Sequence, residues 1–212
     1  MKKRVIVAAA LLCAAMSYGQ GLKPIQLKKP DMARKGTVME ALSKRASVRE
    51  YSDRKLSEQD LSDLLWAGNG VNRPDKGGRT AASAMNFQDV DIYVLTAEGA
   101  YLYNAHKSIL EPVAAGDLRA QISPQQAFVA AAPVNLILVS DLAKFTRGDE
   151  ASKERMAALD VGIVSQNIAI FCAAAGLATV PRAMIDVEKL GPLLKLRPAQ
   201  KILLNHPVGY PK

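Results

Sequence analysis

Lys44-Arg45-Ala46-Ser47-Val48-Arg49-Glu50-Tyr51 sets two guanidinium groups four positions apart around a short hydroxyl side chain. A guanidinium is a rigid fork of donors that matches phosphate or a polarised carbonyl, so the stretch reads as an anion cradle. Taken alone it also reads as a basic, solvated helix end, because short motifs recur by chance. Upstream, Thr37-Val38-Met39-Glu40 has the spacing of a capping box. That predicts a helix over 37–45 and places the cradle where helix gives way to loop.

Working outward, Ser57-Glu58-Gln59-Asp60 opens a second helix in which Leu61, Leu64 and Leu65 share a face, ending in Gly68-Asn69-Gly70. Residues 71–80 are rich in Gly, Pro, Asn, Asp and Arg and predict a mobile surface loop. The small residues of Ala81-Ala82-Ser83-Ala84 lead through Met85-Asn86-Phe87-Gln88 into a buried strand over 90–96, paired through Glu98-Gly99 with a strand at 100–103. Small residues ahead of a strand let a flat ligand approach the backbone, or simply make a tight connection. Ser123 is read as the cap of a short helix to Ala131, with Pro124 in its first turn. Val134 to Ser140 is apolar with almost no alternation, which places it mid-sheet under two covering layers. Glu150 to Ala175 is the longest helix, with Met156, Leu159, Ile163, Ile170 and Phe171 marking an apolar stripe and Gly176 ending it. An extended piece at 179–185, a helix over 187–195 capped by Asp186, and a strand at 201–204 complete an α+β domain with one central sheet.

The first twenty residues read as an address. Lys2, Lys3 and Arg4 precede the apolar run Val5 to Ala15, too short to span a bilayer, and the small residues Ser17 and Gly19 suit cleavage before Gln20. Residues 1–19 are therefore expected to be a signal peptide and the mature protein to be exported, periplasmic or extracellular. No later stretch is read as a membrane span. Losing 1–19 removes three positive charges and no acid, lowering the formal charge from +8 to +5. That mild balance, with aromatic residues at 5% of the chain, gives no basic run interleaved with stacking rings and argues against nucleic acid. Of the two cysteines Cys13 leaves with the signal, so Cys172 has no disulfide partner and is read as a packed thiol. His106 and His206 lack partners at metal-ligand spacing, and no metal site is expected. Residues 20–36 form an extended arm, expected to wrap a partner subunit or to stay mobile, and 37–212 a single domain.

Together these pieces resemble the nitroreductase family of FMN-dependent oxidoreductases, in particular the branch related to the oxidases of azoline-forming peptide synthetases. The resemblance runs from about Thr37 to Lys212 and is carried by Arg45 to Arg49, Arg79 to Gln88, Gly99 to Tyr103, Gly116 to Arg119, Gln166-Asn167 with Gly176-Leu177, Val180-Pro181 and Pro207 to Pro211. It implies a mostly antiparallel sheet flanked by helices and an intertwined homodimer with an FMN in each of two sites between the subunits. In that comparison Arg45, Ala46 and Ser47 hold the FMN phosphate, and Arg49 reaches the pyrimidine edge, where a fixed positive charge favours the reduced ring. Ser83, Ala84, Met85 and Asn86 form the loop on which the ring lies, and Pro181, Arg182, Ala183 and Met184 line the face near N5, mostly through backbone. Ala183-Met184 replaces a common Glu-Gly, Ala81-Ala82 stands where the related branch often has a proline, and Lys212 ends the chain where relatives continue into a basic tail. Lys212 is therefore assigned to the phosphate.

The implied reaction is ping-pong hydride transfer from a donor such as NAD(P)H to a nitroaromatic, quinone or similar electron-poor acceptor. It needs no nucleophile or metal, and no catalytic side chain is singled out. A flavin-binding scaffold without turnover, and an FMN-dependent oxidase of a small substrate, are alternatives that share the site.

Overall fold

The computed structural model describes residues 21–212; the expected signal peptide, 1–19, lies outside the described residues. In chain order the elements are β1 (Ile25–Gln26), α1 (Val38–Lys44), α2 (Glu58–Asn69), β2 (Val71–Arg73), β3 (Gly78–Arg79), β4 (Val90–Leu95), β5 (Gly99–Asn104), β6 (Ile109–Ala115), α3 (Ala127–Ala131), β7 (Val134–Asp141), α4 (Glu150–Ala175), β8 (Ala178–Thr179), α5 (Val187–Leu193) and β9 (Gln200–Gly209). Seven strands form one sheet in the order β1-β6-β5-β4-β7-β9-β8, every neighbouring pair antiparallel. β2 and β3 make a separate hairpin.

The sheet separates two cores, and strand periodicity assigns residues to each. In β4 and β7, Ile92, Val94, Leu136 and Leu138 face Leu64 and Leu65 of α2 and Val161, Val164 and Ile168 of α4. Their neighbours Tyr93, Leu95, Ile137 and Val139 face the other way, against Ile122, Val129, Leu190 and Leu194. All eight residues of β7 are buried, which explains the apolar run Leu136 to Val139 at its centre. Each large aliphatic side chain so buried contributes about 1.5–3 kcal/mol.

Several local expectations are corrected. β6, to which the sequence pattern assigned no element, contains Pro112 at a register shift against β5, where a missing N–H is tolerated. β9 continues past Leu204 to Gly209, because the carbonyl of Pro207 accepts the Thr179 hydroxyl at 2.9 Å and the strand pairs on both sides. Ser123 is buried in a turn closed by Gln126 N–H to its carbonyl, and α3 begins only at Ala127. Residues 71–80, expected to be a mobile loop, form the β2–β3 hairpin around Gly77, whose φ of 60° suits glycine.

The arm is strapped to its own α2. Lys28 N–H donates to Ser62 Oγ at 2.9 Å, Asp31 N–H to Asp63 Oδ1 at 2.9 Å, and Arg34 pairs with both Asp60 and Asp63. The stripe chosen for α4 is corrected too: Ala157, Val161, Val164, Ile168 and Cys172 face the core, whereas Leu159 and Ile163 are 57% and 39% exposed. With 26 residues, α4 is also long and apolar enough to cross a membrane by length and composition, contrary to the sequence expectation. Its packing against α1, α2 and the sheet is that of a core helix.

Candidate functional site

The cradle is held at both ends by backbone. Thr37 Oγ1 accepts from Glu40 N–H at 3.1 Å and Glu40 returns a bond to Thr37 N–H at 2.7 Å, so the expected capping box starts α1. Arg45 N–H closes that helix on the Ala41 carbonyl at 2.9 Å, and the chain then turns extended. Val48 N–H donates to the Thr179 carbonyl at 2.9 Å, and the Tyr51 hydroxyl donates back to the Val48 carbonyl at 2.9 Å. A bridge from Tyr51 to Pro211 brings the end of the chain, with Lys212, alongside. Arg45, Ala46, Ser47, Arg49 and Lys212 are exposed. Among the described residues, the side chains of Arg45, Ser47 and Arg49 make no hydrogen bond and neither arginine an ion pair, so their donors face solvent on a pinned backbone.

Behind Thr179 the support is polar and dry. The Thr179 hydroxyl gives its hydrogen to Pro207, so it accepts from His206 Nδ1 at 3.1 Å, which leaves His206 Nε2 to accept from Ser165 Oγ at 2.7 Å. Both histidine nitrogens are thereby used in the neutral ring, and burial lowers its pKa to about 3. Since the unfolded ring titrates near 6.5, this group stabilises the fold fully above that pH, and the contribution is lost as pH falls toward 3. The unfolding midpoint is expected to drop over that acid range in denaturant titrations, and His206→Gln, which cannot charge, to flatten the slope. Cys172, next to this layer, is buried and its thiol pushed up by burial, so it is no nucleophile.

Pro181, Ala183 and Met184 are exposed beside the cradle, Met184 by 61%. Arg182 turns inward instead. Its backbone N–H and carbonyl pair with Asn205 at 3.0 and 2.8 Å, and its guanidinium serves Asn205 Oδ1, Gln126 Oε1 and the Met184 carbonyl. It braces the 181–184 segment, with four of its five N–H groups engaged inside the chain.

Residues 83–88 form a second, unusual segment. Met85, Asn86 and Gln88 have φ of 49°, 57° and 50°, left-handed conformations that cost about 1–3 kcal/mol each without support. Support is dense. Asp160 Oδ2 accepts from Ala84 N–H at 2.8 Å, Ser83 Oγ from Gln88 N–H at 2.9 Å, and Arg79 Nε donates to Gln88 Oε1 at 3.1 Å. Lys144 Nζ reaches the Gln88 carbonyl at 3.0 Å. Met85 and Asn86 are presented outward, Met85 by 64%. The sequence reading missed Asp160, Asp89 and Lys144; the available signal was a buried acid inside the apolar face of α4 and another just ahead of an apolar strand.

The structure therefore gathers 45–49, 181–184 and 212 around β8 and β9, and sets 83–86 apart. The 83–86 loop is anchored at Asp160, while the cradle is anchored at Thr179, beyond Cys172, which accepts the N–H of Leu177 as α4 ends. Asp160 and Cys172 are separated by about 18 Å of helix rise. The recess of about 740 Å³ lined by Lys55, Thr96, Glu98, Tyr101 and Arg119 contains none of these residues.

Comparisons with known proteins agree with this architecture. The profile described as "Nitroreductase family" matches residues 42–210. A Methanocaldococcus jannaschii protein assigned to the nitroreductases is 31% identical over 182 residues, covering 80% of this chain and 89% of its own. A solved Ralstonia eutropha structure with the same assignment is 32% identical, covers 92% of each chain and superposes with a TM-score of 0.85. A Desulfovibrio desulfuricans structure solved in complex with FMN is 21% identical, covers 84% of this chain and 87% of its own, and shares the fold at a TM-score of 0.60. The chain belongs to the nitroreductase family of FMN-dependent oxidoreductases.

Proposed function

We propose that the protein is an exported homodimer that binds FMN between its subunits and passes hydride equivalents by a ping-pong route from a donor to nitroaromatic, quinone or similar electron-poor acceptors. The observation that carries this reading is the pair of guanidinium groups, Arg45 and Arg49, displayed without internal partners on a backbone pinned at Val48. Donors so placed fit a phosphate and the anionic edge of a ring, and the outward left-handed loop at 83–86 suits close approach of a flat group. Arg45 and Ser47, with Ala46 between them and Lys212 alongside, would hold the phosphate. Arg49 would meet the pyrimidine edge, Ser83 to Asn86 would support the ring, and Pro181 to Met184 would line its reactive face through backbone. Bound FMN would supply two-electron hydride chemistry; the chain contributes position and a fixed positive charge.

A second copy supplies what one chain lacks. Apart from buried Arg182 and half-buried Ser83 and Ala84, the candidate residues are exposed rather than gathered in a cleft, and the anchors of the two groups lie far apart along α4. Val38, Met39 and Leu42 of α1 and Leu159 and Ile163 of α4 present apolar side chains to solvent, an arrangement that suits a partner surface. Export is supported by the basic start and apolar run of residues 1–19. Nicotinamide nucleotides are not expected outside the cytoplasm, so the physiological donor of an exported enzyme would be another reductant, even where NAD(P)H serves in vitro. Detection of the protein only in the cytosolic fraction would remove that part of the proposal.

The test is the absorption spectrum of the purified protein under anaerobic addition of donors. A yellow protein bleached by a donor and recoloured by a quinone or nitroaromatic supports the reading. A colourless protein that takes up no FMN refutes it.

A further inference from the structure

We propose that Asp89 and Asp160 form a buried carboxyl pair that shares one proton, and that this pair is the positioning group for the 83–88 segment. The inference builds on the flavin reading above and assigns two residues to it that touch no ligand themselves.

Asp89 is fully buried just ahead of β4. Its Oδ2 accepts from Ser140 Oγ at 2.5 Å, and its Oδ1 has no donor. Asp160, buried on α4, lies within hydrogen-bonding reach of Asp89 and accepts Ala84 N–H at 2.8 Å. An ionised carboxylate can only accept, so two ionised groups meeting in a dry interior would repel and leave an oxygen unsatisfied. A hydrogen on Asp89 turned toward Asp160 removes both problems.

The nearby charges do not offer an alternative. Lys144 Nζ is shared between the Gln88 carbonyl and Asp91 Oδ1, both at 3.0 Å. Arg79 is engaged with Gln88 and the Asn69 carbonyl, and Arg197 with Asp141. Among the described residues, no cation pairs with Asp89 or Asp160. Burial, reinforced by Asp160, accordingly pushes Asp89 up to about 7. The pair stabilises the fold fully below the unfolded value of 3.8, and that contribution is lost as pH rises through the folded value.

Loss of the shared proton sets two negative charges face to face at the base of the loop. Asp160 then holds Ala84 less firmly, and the left-handed conformations at Met85, Asn86 and Gln88 lose their main anchor. FMN retention should follow the protonation of the pair.

The experiment measures FMN affinity by flavin fluorescence in wild type and Asp89→Asn, and amide-exchange protection of residues 83–88 in the flavin-free proteins. The variant keeps a neutral donor at every pH. Wild-type affinity is expected to weaken about tenfold between about pH 6 and about pH 9, beyond the ligand's own titration, and Asp89→Asn to hold its affinity across that range. Protection corrected for intrinsic rates should fall in wild type alone. Parallel pH profiles in the two proteins, with FMN bound, would overturn the pair and leave the flavin reading standing. Absence of FMN binding at any pH, with wild-type protection still falling and the variant's flat, would refute the flavin reading and leave the pair. Should Asp89→Asn fail to fold, infrared spectroscopy of wild type decides. A protonated-carboxyl band at about pH 6 that vanishes by about pH 9 supports the pair, and its absence refutes it.

Discussion

Arg45→Ala is expected to purify without FMN and to bind added FMN at least about a hundredfold more weakly than wild type. In the proposed site Arg45 makes charge-assisted bonds to the phosphate, each worth about 1.5–3 kcal/mol, and two of them account for a loss of that size. The fold should be untouched. The side chain is exposed and makes no internal bond, while its N–H, which closes α1 on Ala41, is kept in the variant. Flavin-free wild type and variant should therefore melt together, separating a binding defect from a folding defect. Arg45→Lys should fall between them, because a point charge replaces a bidentate fork. Full FMN occupancy in Arg45→Ala, measured as the ratio of flavin to protein absorbance, would sink the assignment.

The double variant Leu159→Arg, Ile163→Arg should be monomeric and, although its cradle is intact, almost free of flavin. Both side chains lie on the solvent face of α4, so arginine there disturbs little of the subunit's own core. In a two-fold dimer built on this face the same patch occurs on both partners, and the new charges would be brought together and desolvated at a cost of several kcal/mol. Sedimentation equilibrium reads the mass, and absorbance reads the flavin in the same cell. A dimer of unchanged affinity and colour would exclude this face from the interface.

Much of the framework is legible in the sequence because its patterns are local. The capping box at Thr37 predicts the start of α1, and the apolar run at the centre of β7 predicts its mid-sheet position. What escaped depends on distant partners. Pro112 and Glu111 disguise β6, whose status as a strand is set by β5. Leu159 and Ile163 share an apolar stripe that sequence reading turns inward, whereas the packing of α4 leaves them outside. For the candidate residues, the sequence shows the local spacing and the fold supplies the surroundings. The Arg45 to Arg49 spacing is visible in the sequence, but the pinning of that stretch by Thr179 requires strands more than a hundred positions away. The inward turn of Arg182 depends on Asn205 and Gln126, and the left-handed backbone of Met85 and Asn86 on Asp160. Neither is encoded in its own neighbourhood.

The distance along α4 between the anchor of the cradle and the anchor of the 83–86 loop has a consequence for mass action. If each cofactor touches the cradle of one copy and the loop of the other, no subunit owns a complete site, and FMN acts as an adhesive between copies. Chain association and cofactor uptake then become a single linked equilibrium, in which added FMN tightens the dimer and dilution of the protein releases its colour.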